Sequence, residues 1–145
     1  MTAEQHQELG HLLVIDDDAD FAAICLEIFE KLGLFVTVAS SIEEGERILR
    51  DRGPEIDVIL LDQRSKSDKV GDLIAYTKAR APFAKIIVIA GYATPEAIEQ
   101  ALAQGAYDHI MKDSAFFALI RTKVRNAIEI AHALRVLACV RQRAS

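Results

Sequence analysis

Charged side chains stand at the ends of several apolar runs that have the length of a strand. Asp16, Asp17 and Asp18 directly follow one such run, Asp62 follows a second, and Lys112 follows a third. Carboxylates that meet at one place repel each other unless a cation joins them, and hard oxygen ligands of this kind suit Mg²⁺. A lysine ammonium beside them can pair with a carboxylate or with a phosphoryl oxygen. This set of residues therefore predicts a phosphoryl-transfer site that uses Mg²⁺.

Each of these residues also has an ordinary structural interpretation. Asp18 precedes a segment of helical period, so we expect its carboxylate to cap that helix and give it no functional role. Asp16 and Asp17 could form a solvated turn, and Asp62 or Lys112 taken alone could be a surface residue. The functional interpretation therefore depends on whether the fold brings the ends of the three runs together.

Apolar runs alternate along the chain with segments of helical period. The predicted strands are residues 11–15, 34–38, 56–61, 85–90 and 107–111. Ser41 and Thr94 stand where helices begin, and Gly105 stands where one ends. This alternation predicts an α/β fold with a five-stranded parallel sheet covered by helices on both faces. The carboxyl ends of parallel strands form one edge, so the candidate residues are expected to be neighbours there.

Length, charge and composition limit the class of protein. The chain has 145 residues, of which 51% are hydrophobic, and this is enough for one domain with a core. With 17 Lys and Arg against 22 Asp and Glu, the formal charge of −5 argues against direct nucleic-acid binding. Cys25 and Cys139 lie in helical segments and predict no disulfide framework, which fits a reducing cytoplasm.

The amino-terminal stretch predicts neither export nor a membrane anchor. Residues 1–10 form a polar tail that lacks the basic start and apolar run of a signal peptide. No apolar run reaches the roughly 18 residues that a membrane span requires. We therefore expect a soluble, cytoplasmic protein without membrane contacts.

Three motifs resemble those of response-regulator receiver domains, the flavodoxin-like modules of two-component signal transduction. They are LLVIDDD at residues 12–18, DVILLD at residues 57–62 and GAYDHIMK at residues 105–112. The similarity extends over roughly residues 10–125. It implies the strand order 2-1-3-4-5 and a receiver domain over residues 11–126.

The resemblance also implies a role for each matching residue. Asp62 would be the phosphoacceptor, and Asp16, Asp17, Asp62 and the backbone carbonyl of Arg64 would hold Mg²⁺. Lys112 would contact the phosphoryl group. The donor would be the phosphohistidine of a histidine kinase or of a phosphotransfer protein in a phosphorelay. Such a domain is a regulatory phosphoacceptor, and its only expected catalysis is its own phosphorylation and dephosphorylation.

Two positions depart from the family pattern at the conformational switch. Ala90 stands where the family has Thr or Ser at the end of strand 4, so the hydroxyl contact to a phosphoryl group cannot form. His109 replaces the usual aromatic residue of strand 5 and is either an alternative switch or an exposed strand residue. We expect the acceptor chemistry to be retained and the switch to be atypical.

Two other functions compete with this interpretation. The altered switch positions also suit a pseudo-receiver that binds proteins without being phosphorylated. Asp16 and Asp18 together are similar to the nucleophile motif of a haloacid-dehalogenase-like phosphatase. That enzyme class needs a second acidic pair after strand 4, which we do not find, and the chain is short for it.

The last predicted helix continues beyond the receiver pattern. One apolar stripe has steps of three and four residues and consists of Phe117, Ile120, Val124, Ala127, Ala131, Leu134 and Ala138. A second stripe consists of Ile130, Ala133, Leu137 and Val140. Heptad-like seams favour pairing between helices, so residues 127–145 are predicted to form a homodimer or a connector to an output domain. The alternative is a long helix that folds back on its own domain.

Overall fold

The structure is a computed structural model of the chain, and it describes residues 9–63, 67–91 and 94–144. The strands in these ranges are β1 (His11–Ile15), β2 (Phe35–Ala39), β3 (Val58–Asp62), β4 (Lys85–Ala90) and β5 (Asp108–Met111). The helices are α1 (Ala19–Lys31), α2 (Ile42–Arg52), α3 (Ser67–Arg80), α4 (Pro95–Gln104) and α5 (Phe116–Ala144). A 3₁₀ turn (Gly53–Glu55) separates α2 from β3.

The strands form one parallel sheet in the order β2-β1-β3-β4-β5, which confirms the predicted flavodoxin-like topology. The bounds of β1 and β4 are those predicted, whereas β2, β3 and β5 begin one or two residues later. Leu34 donates its N–H to Phe29 O and so completes the turn after α1. Ile56 donates to Gly53 O and completes the 3₁₀ turn. Local turn bonds therefore delay the start of β2 and of β3.

Alternate residues of the strands face two separate cores. Leu12, Val14 and Leu60 pack with the buried sides of α1 and α5. Leu13 and Ile15 face the other way and pack with α2, α3 and α4. Parallel strands that are covered on both faces carry continuous apolar runs, which is the pattern of β1 and β3. Each fully buried Leu or Ile contributes about 1.5–3 kcal/mol, and together they hold the strand ends in fixed positions.

Polar caps begin three of the helices at the predicted places. Asp18 accepts hydrogen bonds from the N–H groups of Asp20 and Phe21, each at 3.1 Å, at the start of α1. The hydroxyl of Ser41 accepts from Glu44 N at the start of α2, and that of Thr94 caps α4. These caps bind backbone N–H groups that would otherwise lack partners in the first helical turn.

The first half of α5 packs against the sheet. Ile120, Val124, Ala127 and Ala131 are buried, as the first apolar stripe predicts. The stripe is wrong at its start, because Phe116 is buried and Phe117 is 43% exposed. Of the residues predicted to extend the helix, the earlier ones therefore fold back on the domain. The division into a receiver at residues 11–126 and an extension at residues 127–145 stays a prediction.

A buried carboxylate fastens α5 to the amino-terminal edge of the sheet. Arg135 donates from Nε to Asp57 Oδ1 at 3.0 Å, from Nη1 to Pro54 O at 2.7 Å and from Nη2 to Ile56 O at 3.1 Å. Its guanidinium also lies 5.2 Å from the ring centre of Phe83. One side chain thus joins α5 to the entry of β3 and to the segment before β4. We call Asp57 and Arg135 the α5 clamp.

Two histidines surround the α5 clamp. His11 donates its backbone N–H to Asp57 Oδ2 at 2.8 Å, and His132 Nε2 lies 3.5 Å from the same oxygen. Burial, and after it the charge of Arg52, lowers the pKa of His11 to about 4. The His11 ring is therefore neutral at neutral pH, and it bonds the hydroxyl of Thr37 at 2.7 Å.

Beyond the α5 clamp the helix leaves the domain surface. Val136, Leu137 and Val140 are 63%, 51% and 55% exposed. No helix in the described residues is both long enough and apolar enough to span a membrane. The end of α5 is thus an amphipathic arm whose apolar residues lie outside both cores.

Candidate functional site

The three sequence-predicted strand ends meet at the carboxyl edge of the sheet. Asp16 follows β1, Asp62 ends β3, and Lys112 follows β5. Lys112 Nζ lies 3.6 Å from Asp16 Oδ2 and 3.8 Å from Asp62 Oδ1. The backbone N–H of Lys112 donates to Ala90 O at 3.0 Å, which fixes the residue beside the end of β4. The fold therefore brings together the charged groups that the sequence separates by almost 100 residues.

The acidic side chains at this edge are close enough to share a cation. One carboxylate oxygen from each of Asp16, Asp17 and Asp62 lies within 4.8 Å of the others, and this is the one such cluster among the described residues. Asp16 and Asp62 are buried and Asp17 is exposed. An all-oxygen set of this kind is what Mg²⁺ and Ca²⁺ take in proteins, with Mg²⁺ keeping several waters on its open side.

The hydrogen bonding of Asp16 supports this fit. Its Oδ1 accepts from Asp18 N at 2.8 Å, but its buried Oδ2 has no hydrogen bond within the described chain. A buried carboxylate oxygen with no donor is costly unless a cation compensates it. Lys112 supplies part of that charge from 3.6 Å, and a divalent ion held by the cluster would supply the rest.

An aromatic ring from α1 helps to position the lysine. Lys112 Nζ lies 4.1 Å from the ring centre of Phe21, a cation–π distance. Phe21 in turn packs against Phe116 at the start of α5, with ring centres 5.3 Å apart. We did not predict this contact. The sequence places Phe21 three residues after the helix cap Asp18, but nothing local points from it to Lys112.

Cys25 lies in the core and close to this site. It is buried, and burial followed by the charge of Asp16 raises the pKa of its thiol to about 12. The thiol is therefore protonated at physiological pH and does not act as a nucleophile. Cys25 is thus a residue of the core.

The cleft beside the acidic cluster has a volume of about 140 Å³. Its wall includes Glu43 and Lys69, which pair across it at 3.2 Å and are both largely exposed. A hydrogen bond from its own backbone N–H, and after it the hydrogen bond and charge of Lys69, lower the pKa of Glu43. No local pattern predicts this pair, because Glu43 and Lys69 stand on two different helices.

The two switch positions occupy different surroundings. Ala90 is buried at the end of β4 and pairs with Met111 of β5. Its side chain is a methyl group and carries no hydroxyl. His109 lies beside Val88, and its side chain is partly exposed. Its Nδ1 atom is buried without a hydrogen bond and lies 4.0 Å from the Asp108 carboxylate. The ring of His109 is thus not fully exposed and has no hydrogen bond at Nδ1, whereas its backbone N–H donates to Asp108 Oδ1 at 2.7 Å.

Some predictions fall on residues that the structure does not describe. The backbone carbonyl of Arg64, assigned to the metal, lies outside the described residues. So does most of the predicted polar tail, residues 1–8. Asp18, the second acid of the phosphatase-like interpretation, directs Oδ1 to the first N–H groups of α1, so its geometry supports the cap.

Comparison with protein families and relatives gives a consistent result. The family model "Response regulator receiver domain" matches residues 12–125. The photosynthetic apparatus regulatory protein RegA of Rhodobacter capsulatus is 30% identical over 115 residues, which cover 77% of this chain and 61% of RegA. The acid tolerance regulatory protein ActR of Rhizobium meliloti is 31% identical over 114 residues, which cover 76% of this chain and 58% of ActR. The chain thus spans about three fifths of the length of these relatives.

Solved structures share the fold. NtrX from Brucella abortus in complex with ADP has a TM-score of 0.76 at 25% identity, over 93% of this chain and 30% of that one. A Burkholderia pseudomallei response regulator with a phosphorylated aspartic acid, calcium ion and citrate has a TM-score of 0.69 at 27% identity. The match covers 89% of this chain and 74% of that one. With the family match over most of its length, and with charged residues meeting at the carboxyl edge of this sheet, the chain belongs to the response regulator receiver domain family.

Proposed function

We propose that this receiver domain accepts a phosphoryl group on the carboxylate of Asp62. The observation that carries the proposal is the position of the Lys112 ammonium, 3.6 Å from Asp16 and 3.8 Å from Asp62 at the carboxyl edge of the sheet. Receiver domains of response regulators are regulatory domains rather than conventional enzymes. The donor in our proposal is the phosphohistidine of a histidine kinase or of a phosphotransfer protein, the partners that receiver domains generally have.

The acidic cluster would hold the Mg²⁺ that such domains generally bind. Asp16, Asp17 and Asp62 would supply carboxylate oxygens, and we assign the carbonyl of Arg64 to the same ion. When bound, Mg²⁺ would offset the negative charge on the transferring phosphoryl oxygens. Asp16 and Asp17 would also orient the ion's remaining waters, since Mg²⁺ keeps several of them in sites of this kind.

The chemical step is a simple displacement. A carboxylate oxygen of Asp62 attacks the phosphorus, a new O–P bond forms, and the N–P bond to the donor histidine breaks. The imidazole leaves with the electron pair of that bond, and Asp62 carries an acyl phosphate. Lys112 can move from the Asp62 carboxylate to a phosphoryl oxygen over a short distance, because it is already positioned between two carboxylates.

The consequence for signalling would differ from the common family pattern. The phosphoryl group adds a charge of about −1.5 to −2 at this edge. Ala90, at the end of β4, has no side-chain hydroxyl with which to bond the phosphoryl group. Nδ1 of His109 is buried and has no hydrogen bond, so no bond at this atom opposes a change in the orientation of the ring. We therefore propose an atypical switch at Ala90 and His109.

A second candidate function rests on the same two residues. A pseudo-receiver would keep the fold and bind a protein partner without phosphorylation. Treatment with acetyl phosphate and MgCl₂, followed by intact-mass spectrometry, separates the two. We expect the wild-type chain to gain one phosphoryl group and to lose this gain when EDTA removes the metal. A chain that gains no phosphoryl group from acetyl phosphate or from a phosphorylated histidine protein would favour the pseudo-receiver.

Replacement of the lysine should slow the transfer. We expect Lys112→Ala to reduce the rate of phosphorylation by acetyl phosphate about 100-fold, the typical effect of losing one preorganised donor to a developing charge. The rate can be followed by intact mass over time. Lys31→Ala, a change at an exposed residue on the end of α1, serves as the control and should keep the wild-type rate. An unchanged rate in Lys112→Ala would remove Lys112 from the phosphoryl site.

A further inference from the structure

The second half of α5 carries an apolar seam that the rest of the described chain covers only in part. The seam consists of Ile130, Ala133, Leu137, Val140 and Ala144, with steps of three and four residues. All of these residues except Ala133 and Ala144 are large, and Ile130, Leu137 and Val140 are 38%, 51% and 55% exposed. The residues of the first stripe that are buried against the sheet lie on another side of the helix, so they do not compete with the seam; they are Ile120, Val124, Ala127 and Ala131. A spacing of this kind is that of helices that pair.

The charges of α5 are unlike those of the rest of the chain. The helix holds six of the 17 Lys and Arg residues but one of the 22 Asp and Glu residues, Glu129. Arg141 and Arg143 stand near its end. In a parallel pair these ends would lie side by side and repel each other. An antiparallel pair separates them and brings the end of each helix near the Glu129 of the other.

An antiparallel register satisfies both the apolar and the charged residues. If Ile130 of one copy packs against Val140 of the other, then Ala133 packs against Leu137. A large residue meets a small one in the second of these layers, which fills the space evenly. Two-fold symmetry repeats both layers, since each contact of residue i with residue j occurs again as j with i.

The residues that flank the seam fit the same register. In an antiparallel helix pair with these layers, Glu129 of one copy lies opposite Arg143 of the other. Leu134 lies opposite Leu134 and Val136 opposite Val136, so the apolar contact widens at its centre. Within the described chain, neither Glu129 nor Arg143 has an ion-pair partner. The only charged pair that the register creates is therefore one of opposite sign.

From this match we propose that two copies of the chain associate through antiparallel contact of their α5 arms. The contact extends from Glu129 to Ala144, on both sides of Arg135 along the helix, and is built on residues that the phosphoryl site does not use. It thus goes beyond the proposed function and can be tested separately from it. In particular, dimerisation should be the same in wild type and in a chain that cannot be phosphorylated.

Sedimentation velocity over a wide range of protein concentration tests the proposal. We expect a reversible dimer for the wild type and an at least about 100-fold larger dissociation constant for Leu137→Lys, which places a charge in the seam of both copies. Ile24→Lys is the matched control, because Ile24 is 44% exposed on α1. A wild type that stays monomeric at millimolar concentration, or a Leu137→Lys chain that dimerises normally, overturns the proposal.

Charge reversal tests the direction of the helices. We expect Glu129→Arg or Arg143→Glu alone to weaken the dimer about tenfold, since each creates two like-charged contacts per dimer. The double variant restores opposite charges and should return to within about threefold of wild type. Circular dichroism confirms that each variant keeps its helix. If the double variant is weakened by the product of the two single effects, the antiparallel register is wrong.

Discussion

Asp62→Asn is expected to abolish phosphorylation of the domain and to leave its fold intact. The amide replaces the nucleophilic carboxylate with a group of almost the same shape, so no O–P bond can form at residue 62. The loss should exceed about 1,000-fold, because no other group can replace the nucleophile of a covalent step. Intact-mass spectrometry after acetyl phosphate and MgCl₂ measures the loss, and peptide mapping of the wild type locates the modified residue.

The same substitution should not destabilise the protein in the absence of metal. Asp62 lies in a cluster with Asp16 and Asp17, and removing one of these three negative charges reduces their repulsion, which offsets the lost attraction to Lys112 at 3.8 Å. Asp18→Asn is the matched control, because Asn caps a helix about as well as Asp and Asp18 has no role in the transfer. Phosphoryl uptake by Asp62→Asn at the wild-type rate would place the acceptor elsewhere.

Asp57→Ala should cause the largest loss of stability, at the opposite edge of the sheet. The substitution removes the acceptor of Arg135 Nε and of His11 N, and it leaves the partly buried guanidinium without its counter-charge. Breaking a buried pair by removing one partner typically costs about 3–5 kcal/mol. We expect a decrease of this size in the free energy of unfolding, measured by urea denaturation and circular dichroism.

Two comparisons separate the α5 clamp from a general effect of lost charge. Asp51→Ala removes an exposed carboxylate paired with Arg50 and should change the stability by less than about 0.5 kcal/mol. Arg135→Ala should cost less than Asp57→Ala, because Asp57 keeps its bond from His11 N. If the double variant Asp57→Ala/Arg135→Ala lost the full sum of both single effects, the two residues would be uncoupled and their pairing would contribute nothing to stability.

The sheet was predictable because its signals are local. Residues 12–15 and 86–90 are apolar without interruption, and β1 and β4 each consist of one of these runs with one polar residue before it. The hydroxyls of Ser41 and Thr94 and the carboxylate of Asp18 each stand at the start of a helix, where they bind backbone N–H groups. The late start of β2 was not predictable from its apolar pattern, because the turn bond of Leu34 to Phe29 O takes that residue out of the strand.

The site was predictable as far as strand ends determine it. Asp16, Asp62 and Lys112 follow strands that had been recognised, so their meeting followed from the topology. The contact of Phe21 with Lys112 was not predictable, and neither was that of Arg135 with Asp57. Their contacts depend on where α1 and α5 cross the sheet, which no local pattern in the sequence contains.

The position of the α5 clamp has a mechanical consequence. Asp57 and Asp62 stand at opposite ends of β3, about 16 Å apart along an extended strand. Nine residues of helix continue from Arg135 to Ala144, a length of about 14 Å. The arm is thus held at Arg135 and free at its other end. A tilt of about 5° about Arg135 would move the end of the helix by about 1 Å. A phosphoryl group on Asp62 would not contact that end of the helix directly, so its effect there would be a small rotation transmitted through the sheet or along α5 from Phe116.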